Sequence, residues 1–141
     1  LLLRRGRRRW RDRGRRDRGG EHRGRRHLVG KRLGTVDGAD LEVTVTVRNS
    51  GARAGRDVVQ VYAARPDSAV DRPVRWLVGF APVQVEAGGQ VTVTVPVRTR
   101  ALAHWDVGHG AWTVEPGTFT LLAGRSSGDL PLQADVEITG I

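Results

Sequence analysis

The stretch HWDVGHGAWTVEPGTFTLLAG, residues 104–124, decides how the rest of the chain is read. It divides into a strand, a loop bounded by Gly108 and Gly110, a second short strand, a Pro-Gly pair and a third strand. Pro116 presets φ for the second position of a turn over residues 115–118, and Gly117 accepts the positive φ that a type II turn needs at the third. The sequence therefore predicts a reversal between residues 112–114 and 118–123. Val, Thr, Phe and Trp dominate the flanks, and such side chains suit a pleated, half-buried surface. An all-β domain is expected.

Working outward, the period stays at two. Leu41, Val43, Val45 and Val47 alternate with Glu42, Thr44, Thr46 and Arg48, giving one apolar and one wet face. Asn49-Ser50-Gly51 through Gly55 supplies a turn. Residues 57–64 form a second strand with Val59, Val61 and Ala63 on one face and Val58, Gln60 and Tyr62 on the other. A polar loop follows between Pro66 and Pro73. The next strand covers residues 74–85, with Trp76, Val78 and Phe80 on one side and a bulge or bend suggested by Gly79 and Pro82. Ala87-Gly88-Gly89 turns the chain into residues 90–98, where Val91, Val93, Val95 and Val97 alternate. Pro96 there donates no ladder hydrogen bond, so the strand lies at an edge or its regular pairing ends there. Leu132, Ala134, Val136 and Ile138 mark a last strand. About seven short strands, separated by turn signals and without a helical period, predict a two-sheet antiparallel sandwich of immunoglobulin or fibronectin type III shape over residues 36–141.

With 141 residues the chain holds one ordinary domain and an appendage. It has no Cys, so it has no disulfide framework and no thiolate ligand or nucleophile. It has no Met, which we read as a fragment that begins inside a longer frame or after processing. The formal charge of +9 is unevenly spread: residues 1–40 carry 15 Lys/Arg and 5 Asp/Glu (+10), and residues 41–141 carry 9 and 10 (−1). Basic character therefore belongs to the leader and not to the sandwich. No run approaches the roughly 20 apolar residues of a membrane helix, and Leu1-Leu2-Leu3 is too short for the apolar region of a signal peptide.

Residues 1–35 form an Arg/Gly-rich leader with Trp10 as the sole large apolar residue between Arg4 and Leu28. So little apolar area does not offset ordering entropy, so disorder is expected. Three readings fit it: the product of a frame error or misplaced start in a GC-rich gene, a solvated linker, and an RGG-like RNA-binding tail using arginine for phosphate contact and stacking. A nucleic-acid partner is the least favoured, because such tails interleave more aromatics.

The blocks LEVTVTVRNSGARAGRDVVQVYAA, RPVRWLVGF, VTVTVPV, ALAHWD and WTVEPGTFTLLAGRSS, in that order, resemble the fibronectin type III-like domain at the C-terminus of family 3 glycoside hydrolases, the β-glucosidase and β-xylosidase type enzymes. The resemblance covers residues 36–140. It departs at Trp76, where these domains carry an acidic or polar residue, at Ala87-Gly88-Gly89, at Arg125, and throughout residues 1–34. It implies a non-catalytic accessory domain whose partners are the catalytic domains of such an enzyme; separately, no cofactor and no membrane partner are expected.

Retaining glycoside hydrolysis requires two carboxylates about 5 Å apart, and the resembled family places them in domains upstream. A barrel of roughly 250 residues does not fit in this chain, and no residue here matches either catalytic motif. The local carboxylate pairs, Asp106 with Glu115 and Asp67 with Asp71, have structural explanations at strand ends and turns. His104, Asp106 and His109 carry ligand chemistry for a metal, but a glycine-bounded loop gives them no fixed spacing. We assign no catalytic residue, metal or cofactor. The candidate contact residues are Trp76, Trp105 and Trp112: they pack in the core or against a neighbouring domain, or, if exposed and coplanar, form a platform for sugar rings. The sugar platform defines an alternative function as a free-standing carbohydrate- or surface-binding sandwich.

Overall fold

The computed structural model describes the backbone at residues 24–27 and 33–36 and the whole of residues 40–139. Strands β1 (Gly24–His27) and β2 (Leu33–Val36) precede β3 (Leu41–Asn49), β4 (Gly55–Ala64), β5 (Trp76–Val85) and β6 (Gln90–Val97). A single 3-10 turn at Thr99–Leu102 leads to β7 (His104–Asp106), β8 (Ala111–Thr113), β9 (Gly117–Gly124) and β10 (Leu132–Ile138). One sheet has the order β1-β3-β6, and the other β2-β10-β9-β4-β5. β7 and β8 pair with each other outside both sheets. Pairing is antiparallel except between β2 and β10. The all-β sandwich expected from the sequence is present. Strand β1 and the first three residues of β2 lie within residues 1–35, the stretch expected to lack regular structure, and the remainder of that stretch falls outside the described residues.

The alternating strands bury the faces their period assigns, except at the start of β6, where Val91 is exposed. Leu41, Val43, Val45 and Val47 point inward from β3 against Val59, Val61 and Ala63 of β4, Val95 and Val97 of β6, Phe119 and Leu121 of β9, and Val136 and Ile138 of β10. Each fully buried aliphatic side chain contributes about 1.5–3 kcal/mol before entropy. β6 is an edge strand, one of the two placements that Pro96 allows. Its approach to β5 is close: a Cβ on Gly79 would stand 2.6 Å from the Pro96 carbonyl oxygen. Only glycine permits this contact.

Two details of register differ from the sequence reading. Val61 faces Gly79 while Tyr62 faces Leu77, so Val78 is the extra residue of a bulge. The bulge inverts the alternation partway along β5. Trp76 and Val78 point inward, but Phe80 is 62% exposed on the outer face instead of sharing their side. The Pro-Gly pair also does not fold β8 back on β9: β8 pairs with β7, and β9 pairs with β10 and β4. Gly117 does adopt positive φ (+123°). There it directs the chain out of the hairpin and into the large sheet.

The far end of the sandwich is closed by Asn49. Its buried side-chain amide donates to the carbonyls of Arg53 (2.6 Å) and Val85 (3.0 Å), and its side-chain oxygen accepts from the Gly51 N–H (2.9 Å). Its backbone N–H donates to Gly89 in the β5–β6 turn. The predicted Asn-Ser-Gly turn is thus also the tie between two connections.

Candidate functional site

The opposite end gathers the loop at residues 65–75, the 3-10 turn and the β7–β8 hairpin, and it holds the ion pairs of Glu115 with Arg65 and Arg72 and of Asp106 with His109. Arg65 ends its strand by donating to the carbonyls of Glu115 (2.9 Å) and Pro116 (2.7 Å). A Cβ at position 117 would lie 2.7 Å from its Nη2, so glycine there makes room for the guanidinium. The Glu115 carboxylate accepts from the Ser68 hydroxyl (2.7 Å) and the Ala69 N–H (2.8 Å), with Arg65 Nη2 at 3.4 Å and Arg72 Nη2 at 3.5 Å. Arg72 donates to Ser68 Oγ (3.1 Å) and to the Leu102 carbonyl (3.0 Å), and its Nη2 stands 3.2 Å from His104 Nδ1. Both guanidinium groups lie over the Phe119 ring, at 4.8 and 5.6 Å, and Arg72 also over Trp76 at 5.3 Å.

This is a clamp in which two buried cations share one carboxylate, and the ring faces of Phe119 and Trp76 supply the remaining negative potential. Burial acts to raise the Glu115 carboxyl, but the Ala69 N–H, the Ser68 hydroxyl and the two guanidinium groups outweigh it and hold the group below its ordinary value of 4.5. Burial lowers the Arg72 guanidinium against the opposing pull of Glu115. The carbonyl oxygen and both carboxylate oxygens of Glu115 are engaged within the fold. It fixes the loop.

The other sequence candidates separate. Asp106 caps the hairpin loop: its Oδ1 accepts from the N–H groups of Gly108 (2.9 Å) and His109 (3.2 Å), and its Oδ2 is 2.7 Å from His109 Nδ1. The hydrogen bond from the His109 side chain is the main reason the Asp106 carboxyl lies below its ordinary value. Asp106 and Glu115 therefore serve two local networks. Asp67 is exposed and 3.8 Å from Arg65 Nε, and Asp71 is exposed. His104 meets Arg72 and not His109. Among the described residues no three His, Cys, Asp or Glu side chains gather in metal-binding geometry.

The three tryptophans divide as well. Trp76 is half-buried, donates its indole N–H to the Ala101 carbonyl (2.9 Å) and meets Phe119 edge to face at 6.3 Å. Trp105 and Trp112 face each other across the hairpin, 51% and 59% exposed, with ring centroids 5.8 Å apart at 74°. Perpendicular rings do not make a flat platform. Sequence reading missed Arg65, Ser68 and Arg72. Their only signal was the presence of Arg72-Pro73 and Glu115-Pro116-Gly117 inside the family-like blocks, since periodicity is silent on a loop.

The fold and these blocks converge with comparison. The fibronectin type III-like domain family matches residues 57–127, and the chain belongs to it. Its relatives are family 3 β-glucosidases. "Probable beta-glucosidase D" of Emericella nidulans is 45% identical over 89 residues, which cover 63% of this chain and 11% of that protein. The crystal structure of DesR, a β-glucosidase from Streptomyces venezuelae in complex with D-glucose, superimposes with a TM-score of 0.73 at 37% identity, covering 84% of this chain and 15% of that one. A GH3 β-glucosidase of Bifidobacterium adolescentis gives 0.73 at 32% identity, covering 83% and 17%. The chain thus spans less than a fifth of the length of these relatives, and it corresponds to a small non-catalytic domain in their C-terminal region.

Proposed function

We propose that this chain serves as the accessory module of a family 3 β-glucosidase-type hydrolase, packing in cis on the catalytic domains and stabilising them while those domains cleave O-glycosyl bonds. One observation carries this reading: the chain matches a small non-catalytic part of much longer β-glucosidases, and its own carboxylates at the candidate site are committed to holding its loops. A domain that supplies no chemistry contributes by covering apolar surface and raising the stability of what it covers.

The test is a domain exchange. The C-terminal fibronectin type III-like region of Streptomyces venezuelae DesR is replaced with all 141 residues of this chain. The chimera is expected to melt above DesR truncated of that region and to recover β-glucoside hydrolysis that the truncated enzyme loses. The chain by itself is expected to release no glucose. A chimera that melts and turns over like the truncated enzyme would sink the reading.

A further inference from the structure

We propose that the β7–β8 hairpin is an acid-released element: protonation of His104 breaks its tie to Arg72 and frees the tryptophan-bearing hairpin from the charged clamp. None of residues 104–113 is buried, while Leu102 and Val114 on either side of them are. The hairpin joins neither sheet, and two three-residue strands are marginal alone in water. It is a flap with anchored ends and no place in the core, so polar contacts fix its position.

The contact at its base dictates a protonation state. Arg72 Nη2 lies 3.2 Å from His104 Nδ1. A guanidinium only donates, so Nδ1 is the lone-pair nitrogen and the ring proton is on Nε2. A proton added at Nδ1 removes that acceptor and sets an imidazolium against a guanidinium, and like charges so close repel. Arg72 neither retreats nor neutralises. Its side chain is 7% exposed, it donates to Ser68 Oγ and the Leu102 carbonyl, and it lies over the Trp76 and Phe119 rings. A guanidinium also keeps its charge wherever imidazole titrates. The exposed hairpin is therefore the part that moves.

The surrounding charges do not rescue the contact. Besides Arg72, the 65–75 loop carries Arg65, Asp67, Asp71 and Arg75, and both aspartates are exposed. The 3-10 turn carries Arg100, and Asp40 beside it accepts the Thr99 N–H. Glu115, which follows β8, already serves Arg65, Arg72, Ser68 and Ala69. At the tip of the hairpin the sign is reversed. His109 Nδ1 stands 2.7 Å from Asp106 Oδ2, and that bond, with those from the backbone N–H groups of His109 and Gly108, holds the Asp106 carboxyl below its ordinary value of 3.8. Asp106 thus remains an anion while the imidazoles gain protons, and it pairs with a charged His109. Acid tightens the tip while freeing the base, so the hairpin leaves as an intact unit.

Amide hydrogen exchange of the 141-residue chain, read residue by residue as protection factors, tests the proposal. Between about pH 7.5 and about pH 5.5, protection across residues 104–113 is expected to fall about tenfold while β3 and β9 keep theirs. The His104 ring resonances should titrate with the same midpoint. His104→Asn retains an acceptor for Arg72 without a titrating ring and should hold the high-pH protection throughout, whereas His109→Asn should leave the fall in place. Should His104→Asn detach the hairpin at every pH, the agreement of the two midpoints in the parent decides. Constant protection in the parent, a fall shared by β3 and β9, a His104 midpoint apart from that of the hairpin, or a fall that survives His104→Asn overturns the proposal. So does a fall that only His109→Asn abolishes, which would move the switch to the tip.

Discussion

Strand β3 and the Arg65–Glu115–Arg72 clamp are both buried, and they stabilise the domain by opposite physics. β3 inserts four aliphatic side chains into an apolar core, where burial is non-directional and tolerant of small shifts. The clamp buries three charges, where the result depends on each hydrogen bond being made. Failure in the core is a matter of polarity and volume. Failure in the clamp is a matter of a missing partner.

The largest effect is expected from Val45→Asp, which buries an unpaired carboxylate at the centre of β3 and costs on the order of 5 kcal/mol. The variant should lose its cooperative thermal transition by circular dichroism. A melting temperature within a degree of the parent would show that the β3 register is wrong.

Arg72→Ala comes next, at about 3–5 kcal/mol, because it leaves Ser68, Glu115 and the Leu102 carbonyl without their shared donor. Urea unfolding measures this loss directly. Arg72→Lys should recover only part of it, since an ammonium does not span the same set of acceptors. Full recovery by lysine would make the clamp a point-charge effect and remove the contrast with the core.

Gly79→Ala should cost about 1–3 kcal/mol, because the added methyl meets the Pro96 carbonyl backbone at 2.6 Å and the two sheets must part there. The same substitution at Gly88 meets open space but sits at φ +69°, so its cost is backbone strain alone.

The smallest effect concerns pH. The Glu115 carboxyl is held below 4.5 in the folded chain, so the stability it contributes is complete above that value and is lost as pH falls through the lower folded value. Glu115→Gln should start from a lower stability at neutral pH and show a flatter decline below pH 4.5, measured by melting in matched buffers. Parallel pH profiles for variant and parent would show that the clamp carboxylate carries no proton linkage.

Much of the fold was legible in residues 41–47, 57–64 and 90–97, because alternation with period two names the buried face without knowledge of the partner. The same logic failed at Phe80: a one-residue bulge at Val78 inverts the faces, and Gly79 announces a bulge without fixing which residue is extra. It failed again at Glu115-Pro116-Gly117, where local turn chemistry specified a positive φ but not which strand the chain would meet next. The site was less legible than the fold. Trp105 and Trp112 could be nominated by type, but their exposure and their perpendicular stacking depend on β7 and β8 lying outside both sheets.

The sequence by itself determined the all-β class, most inward faces of the alternating strands, and the confinement of net positive charge to the leader, since each follows from composition or local period. Tertiary structure alone decided that Arg65 and Arg72 converge on a carboxylate as far as 50 residues away in sequence, and that Trp76 belongs to the core while Trp105 and Trp112 face outward. The reason is physical: a hydrogen bond to a buried charge needs distance and direction from groups remote in the chain, and no local pattern encodes either.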